Sequence, residues 1–363
     1  MGARAALGRE MGDFGGRFGQ ASRGTGWACT SIPLVAPLDR LRAQFFAHFG
    51  RALAPWLQSR PLRVATLGVV LTGGCFALAI SAPVLMLAFA PLVWGVPHLL
   101  ADVRNLVIRQ NLHKAKSFAV ITAIAVLAGG GAGFGVRATL LGCVAVVLLA
   151  QRATPRRRVG VGLLAAVLTT LAMWQPWWAD WALAHAHNYV AAAIWLGWRQ
   201  RSRWWHALPL AALGAGTVAI GSGATTAWSL HTNYAPSVAG LDLATFSETL
   251  APLADPALAV RLVVLYAFAQ GFHYVVWLHL MPNDDRVRPV HRSFRASARE
   301  LVRDLGALPL ALTLAAAIGF GAWALADVVA ARDRYFQLAW FHGHLELLCG
   351  TWLLLFGVRR AQL

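Results

Sequence analysis

Six of the twelve histidines in this 363-residue chain stand inside long apolar blocks, where an imidazole is hard to accommodate without a partner. They are His98, His185, His187, His273, His342 and His344, spread over four blocks. Glu346 is the one acidic residue of the fifteen that falls near the middle of such a block. Spacing sorts these residues onto helical faces. In WGVPHLLADVRN, His98 and Asp102 are four apart and share a face, and His342 and Glu346 repeat that spacing in FHGHLELLCG. In AHAHNYV, His185 shares its face with Asn188 and Tyr189, and in QGFHYVVW the stripe is Gln270, His273 and Trp277. His187 and His344 are expected to point elsewhere, because positions two apart on a helix diverge by about 200°.

Histidine and carboxylate at this spacing on facing helices are how helical bundles hold metal ions. Imidazole with carboxylate suits iron, manganese or zinc. The expected ligands are His98, His185, His273 and His342, with Asp102 and Glu346 in the catalytic carboxylate positions, as ligands or as orienters of the imidazoles. Non-haem iron (Fe²⁺) is the expected cofactor, and haem or zinc stays open. Blander readings stand beside each residue. A lone membrane histidine is more often a packing hydrogen bonder. Asp102 lies near the end of its block and could pair with Arg104 or Arg199, and His279 competes with His273. A transporter or proton relay would use the same His, Asp and Glu residues, and a purely structural membrane protein would use none.

The elements that must position these residues follow from composition. Hydrophobic residues make up 58% and charged residues 13%, the mean hydropathy is +0.56, and a soluble chain carries about twice that charge. The expected fold is therefore all-α: a polytopic transmembrane bundle of about ten spans with both termini cytoplasmic, multi-pass in the cell inner membrane. Residues 1–31 are expected to be a disordered basic N-terminus, 32–61 to carry an amphipathic surface helix, and 62–363 to form the transmembrane domain with an outer loop at 223–256. The spans fall at about 62–81, 83–104, 117–136, 137–151, 159–176, 180–198, 204–222, 257–281, 304–331 and 335–358, each near the 17–25 residues a bilayer needs except the short fourth. Arginines cluster in every second loop, which orients the hairpins. A short helix over 242–251, beginning at Asp242, is expected in the outer loop. The formal charge of +17 is thereby absorbed by topology, and no nucleic-acid partner is expected. The partners are the lipid bilayer and a lipophilic small molecule. Four scattered cysteines with no CxxC pair imply neither disulfides nor structural zinc.

The segment Gly95-Val96-Pro97-His98-Leu99-Leu100-Ala101-Asp102 resembles the glycine–x–proline–histidine…aspartate signature of the Brp/Blh-type bacterial β-carotene cleavage dioxygenases. The resemblance covers these eight residues. It departs from the family at Leu99, where the family has glycine, and at Trp277, where a second histidine would follow His273 by one turn. It implies a polytopic membrane protein with histidine-bound iron, His98 as a ligand and Asp102 as its orienter.

Overall fold

Prolines and short polar caps cut the apolar sequence into helices. Proline lacks an N–H that the first helical turn would leave unpaired anyway, and its fixed φ suits that turn. Pro61, Pro83, Pro155, Pro176 and Pro256 all stand in first turns. The computed structural model describes residues 35–198, 203–232, 236–284 and 293–357. The first 31 residues, expected to lack order, and parts of the basic loops lie outside the described residues.

In chain order α1 spans Val35–Gln58, α2 Arg60–Ser81, α3 Pro83–Asp102, α4 Lys116–Val126, α5 Val136–Leu149, α6 Pro155–Trp174, α7 Pro176–Gly197, α8 Arg203–Gly221 and α9 Thr226–His231. A small antiparallel hairpin follows, β1 (Ser237–Val238) with β2 (Leu241–Asp242), Val238 facing Leu241. Then come α10 (Leu243–Leu250), α11 (Pro256–Val275), α12 (Met281–Asp284), α13 (Phe294–Leu305), α14 (Ala307–Ala326) and α15 (Val328–Phe356). Two helices widen into π-turns directly beyond the histidine positions, α3 at Val103–Ile108 and α11 at Val276–Leu280.

A helix lies on each of the ten expected segments, and five are long and apolar enough to cross a membrane: Arg60–Ser81, Pro83–Ile108, Pro155–Trp174, Pro256–Asp284 and Ala307–Ala326. α7 and α15, which bring most of the intramembrane histidines, fall outside that group. Their polar residues lower their apolarity, as a helix with a functional face requires. The ninth and tenth segments need revised limits. Gly306, at φ +88°, separates α13 from α14, and Asp327 caps α15 by accepting from the Ala330 N–H at 2.9 Å. α15 thus begins at Val328 rather than near 335, and its 29 residues reach about 43 Å at 1.5 Å per residue. The short outer helix is present as α10, capped by Asp242, which accepts from the Thr245 N–H at 2.8 Å.

Contacts between helix ends define two faces of the bundle. On one, Trp228 donates to Ser81 Oγ (3.2 Å), the Val136 N–H donates to Asp180 (2.7 Å) and Arg332 donates to the Leu87 carbonyl (3.2 Å). On the other, Arg60 pairs with Asp284 (3.0 Å), Arg104 with Asp304 (2.8 Å), and Asp39 accepts from the Phe294 N–H at the start of α13 (2.6 Å). Among the described residues the second face holds the basic stretches at 104–116 and 152–158, but Arg137, Arg261, Arg332 and Arg334 belong to the first, so the charge asymmetry is incomplete. α1 keeps Leu38, Leu41, Phe45 and Phe49 exposed along one side, as an amphipathic helix would.

The core centres on α11, buried almost continuously from Val263 to Val276 and packed against α2, α3, α7, α8 and α10. α14, by contrast, buries no residue. It rests on α3 and α15 along one side only, and an apolar helix with so little protein cover is stable only in an apolar solvent.

Candidate metal centre

His98 and Asp102 reach the centre from α3, His273 from α11 and His342 from α15. One potential ligand atom from each lies within 4.8 Å of all the others. Ligands of a single ion stand only slightly closer, given metal–nitrogen bonds of about 2.1 Å. Ring centroids are 4.9 Å apart for His98–His342, 5.3 Å for His98–His273 and 5.9 Å for His273–His342, with the rings nearly perpendicular. Such edge-on packing turns nitrogens toward a common point. Gly95 lets α3 approach closely enough, since a side chain there would collide with the Tyr335 ring.

The telling feature is what these groups lack. His98 and His273 are 1% exposed and Asp102 is fully buried. Both ring nitrogens of His98 and of His273, both oxygens of Asp102 and Oε2 of Glu346 have no hydrogen-bond partner. The separations His98 Nε2–Asp102 (4.0 Å) and His273 Nε2–Glu346 (3.5 Å) are too long to satisfy them. Each such group costs about 1–3 kcal/mol, more if charged, and native proteins hold few of them. Concentrated at one point they describe a set of ligands. A divalent cation would satisfy the imidazoles and neutralise the two carboxylates, which otherwise sit within repulsive reach of each other.

Orientation of the rings supports the same use. His342 Nδ1 faces the Ala339 carbonyl, and His187 Nδ1 faces the Ala184 carbonyl at 2.8 Å. A carbonyl only accepts, so Nδ1 carries the hydrogen in both rings and Nε2 keeps its lone pair. Backbone bonds of this kind orient metal-binding histidines. Glu346 is held in turn by Trp277, whose indole N–H donates to Oε1 at 2.8 Å. Arg104 does not pair with Asp102, because Asp304 and Glu300 occupy its guanidinium.

His185 is not part of the cluster, contrary to the sequence expectation. Its Nε2 donates to the Leu250 carbonyl at 2.7 Å and its ring packs on Trp181 and Tyr266, tying α7 to α10. The α7 histidine that stands beside the cluster is His187, 5.4 Å from His342 and 5.7 Å from His273 between ring centroids, outside the four residues whose ligand atoms converge. Sequence did contain a signal for it: Asp180, His187 and Asn188 lie seven and eight residues apart on one face of α7. His344 turns to Thr139, its Nδ1 2.6 Å from Oγ1. His279 lies in the π-turn beyond the cluster.

A cavity of about 350 Å³ adjoins the cluster, walled by α7, α11 and α15 and lined by His98, His187, His273 and His342 together with Tyr274 and Tyr335. Comparison with protein families, with curated proteins and with solved structures finds no match for this chain.

Proposed function

We infer that the protein is a multi-pass membrane metalloenzyme of the non-haem iron oxygenase type, acting on a lipophilic, carotenoid- or lipid-like substrate. The convergence of unpartnered, fully buried imidazole and carboxylate atoms carries this reading. His98, His273 and His342 would hold the ion, with His187 and Asp102 completing the set and Glu346 orienting His273. Three imidazoles and one carboxylate converge within ligand distance of one another, a donor mixture that suits non-haem iron when positions stay open for dioxygen, with four-coordinate zinc as the alternative. Haem fits poorly, because imidazoles packed edge to face at 4.9–5.9 Å leave no layer for a macrocycle between them.

When bound, iron would supply dioxygen activation. The chain's own part is to keep the histidines neutral and aimed and to bury the carboxylates beside them. The resemblance at Gly95–Asp102 supports the reading, since both residues it singles out stand in the cluster. In this reading all ten helices cross the inner membrane, the arginine-rich face is cytoplasmic, α1 lies on the inner surface, and substrate arrives sideways from the lipid.

Metal analysis and a visible spectrum of detergent-purified protein test it. About one iron per chain with no Soret band is expected, and His98→Ala should abolish metal content while the protein still inserts. Coordination is a large, localised free energy, whereas a membrane packing bond averages under about 1 kcal/mol. Full metal loading of His98→Ala, or a wild-type protein without metal, would overturn the reading.

A further inference from the structure

The cavity beside the cluster, about 350 Å³, is far larger than the roughly 15 Å³ that a single water needs. Its wall on α7 is a single helical stripe: Asp180, Ala184, His187 and Asn188 are offset by four, seven and eight residues. Exposure falls along it. Asp180 and Ala184 are exposed, His187 is half-buried, and Asn188 is 1% exposed. Eight residues descend about 12 Å at 1.5 Å each, so the cavity runs from a helix end to the histidines.

Its two ends differ in chemistry. At the rim, Asp180 Oδ1 accepts from the Val136 N–H, and Gly135 stands at φ +56° where a side chain would strike the carboxylate. At the floor, both amide atoms of Asn188 and Oε1 of Gln270 lack partners, although these residues are 1% and 4% exposed. Buried amides in a space this large are satisfied by water or by a ligand. Among the described residues no lysine or arginine lines the cavity, and Asp180 is the one carboxylate that does.

We propose that this cavity is a hydrated port through which small uncharged molecules, water and dioxygen among them, reach the histidine cluster from the membrane face that bears Gly135 and Asp180. Asp180 at the rim favours cations over anions. The port serves the metal centre inferred above, but its existence is read independently of any metal.

Cysteine accessibility tests it in sealed vesicles of each orientation, using a cysteine-free background and membrane-impermeant methanethiosulfonates. Leu253→Cys, at a position 87% exposed, reports the face of the rim, and Lys114→Cys reports the opposite face. Ala184→Cys should be modified from the Leu253 face. The trimethylammonium reagent should outpace the sulfonate by about fivefold after normalisation to Leu253→Cys, as expected where a carboxylate at the mouth attracts the cation and repels the anion, and Asp180→Asn should remove that preference. Leu183→Cys, also on the cavity wall, repeats the measurement should Ala184→Cys fold poorly. Modification only from the Lys114 face, no modification from either face, or a charge preference untouched by Asp180→Asn would overturn the proposal. Normal labelling of a chain that binds no metal would overturn the metal centre and leave the port standing.

Discussion

Between His185 and His187 the direction of the side chain swings by about 200°, from a backbone carbonyl on α10 to the histidine cluster. The two histidines should therefore respond differently to substitution. His187→Ala is expected to lower metal affinity by tenfold or more, as is Asp102→Asn, within the ten- to hundredfold range for groups that hold or orient a ligand. His185→Ala should leave metal content unchanged and cost about 1 kcal/mol of stability, the worth of one hydrogen bond. Metal titration beside thermal unfolding separates the two outcomes, and equal metal loss in both variants would contradict the assignment. His98, Asp102, His273 and His342 were legible in the sequence because a polar side chain in an apolar run has few reasons to be there. The choice between His185 and His187 was not legible, because the rotation of α7 is fixed by a carbonyl 65 residues away.

At the scale of elements, helix α13 is joined to the end of α3 by charge. Arg104 and Arg109 both reach Asp304, at 2.8 and 3.2 Å. Burial alone would raise the Asp304 carboxyl, but the hydrogen bonds and charges of Arg104 and Arg109 outweigh it and hold the group below the usual carboxylate range. A lowered folded-state value means that this contact stabilises fully above the unfolded value of about 3.9 and is lost as pH falls through the folded one. Hydrogen exchange of α13 should therefore accelerate below about pH 4, and Asp304→Asn should show the faster exchange already at pH 7. An α13 equally protected at both pH values in wild type would remove the joint from the account. The existence of α13 as a separate helix was hidden in the sequence, where 282–303 reads as a basic loop and 304–331 as one apolar block. Only the positive φ of Gly306 and the Asp327 cap divide it.

The whole molecule was the most legible level, because hydropathy and charge act over tens of residues and survive local errors. Ten apolar segments correspond to helices, and the two faces gather the helix ends that alternate hairpins would bring together. Reporter fusions after Gln110 and Pro155 should give one compartment, and fusions near Gln175 and Asp333 the other, with the first pair cytoplasmic. A shared compartment for Gln110 and Gln175 would break the hairpin order. What composition could not supply is the division of labour among helices. α11 is nearly all core and α14 has none, yet both read as uniformly apolar, since lipid and protein interior select the same side chains.

The π-turns after Asp102 and after Val275 have one more consequence. Each packs an additional residue into its turn, and one residue is worth about 100° of azimuth. The stretch carrying His98 and Asp102 is thereby out of phase with the stretch carrying Arg109, as if two helices had been spliced with a deliberate offset. A helical wheel drawn straight through the splice mixes two faces that never coincide.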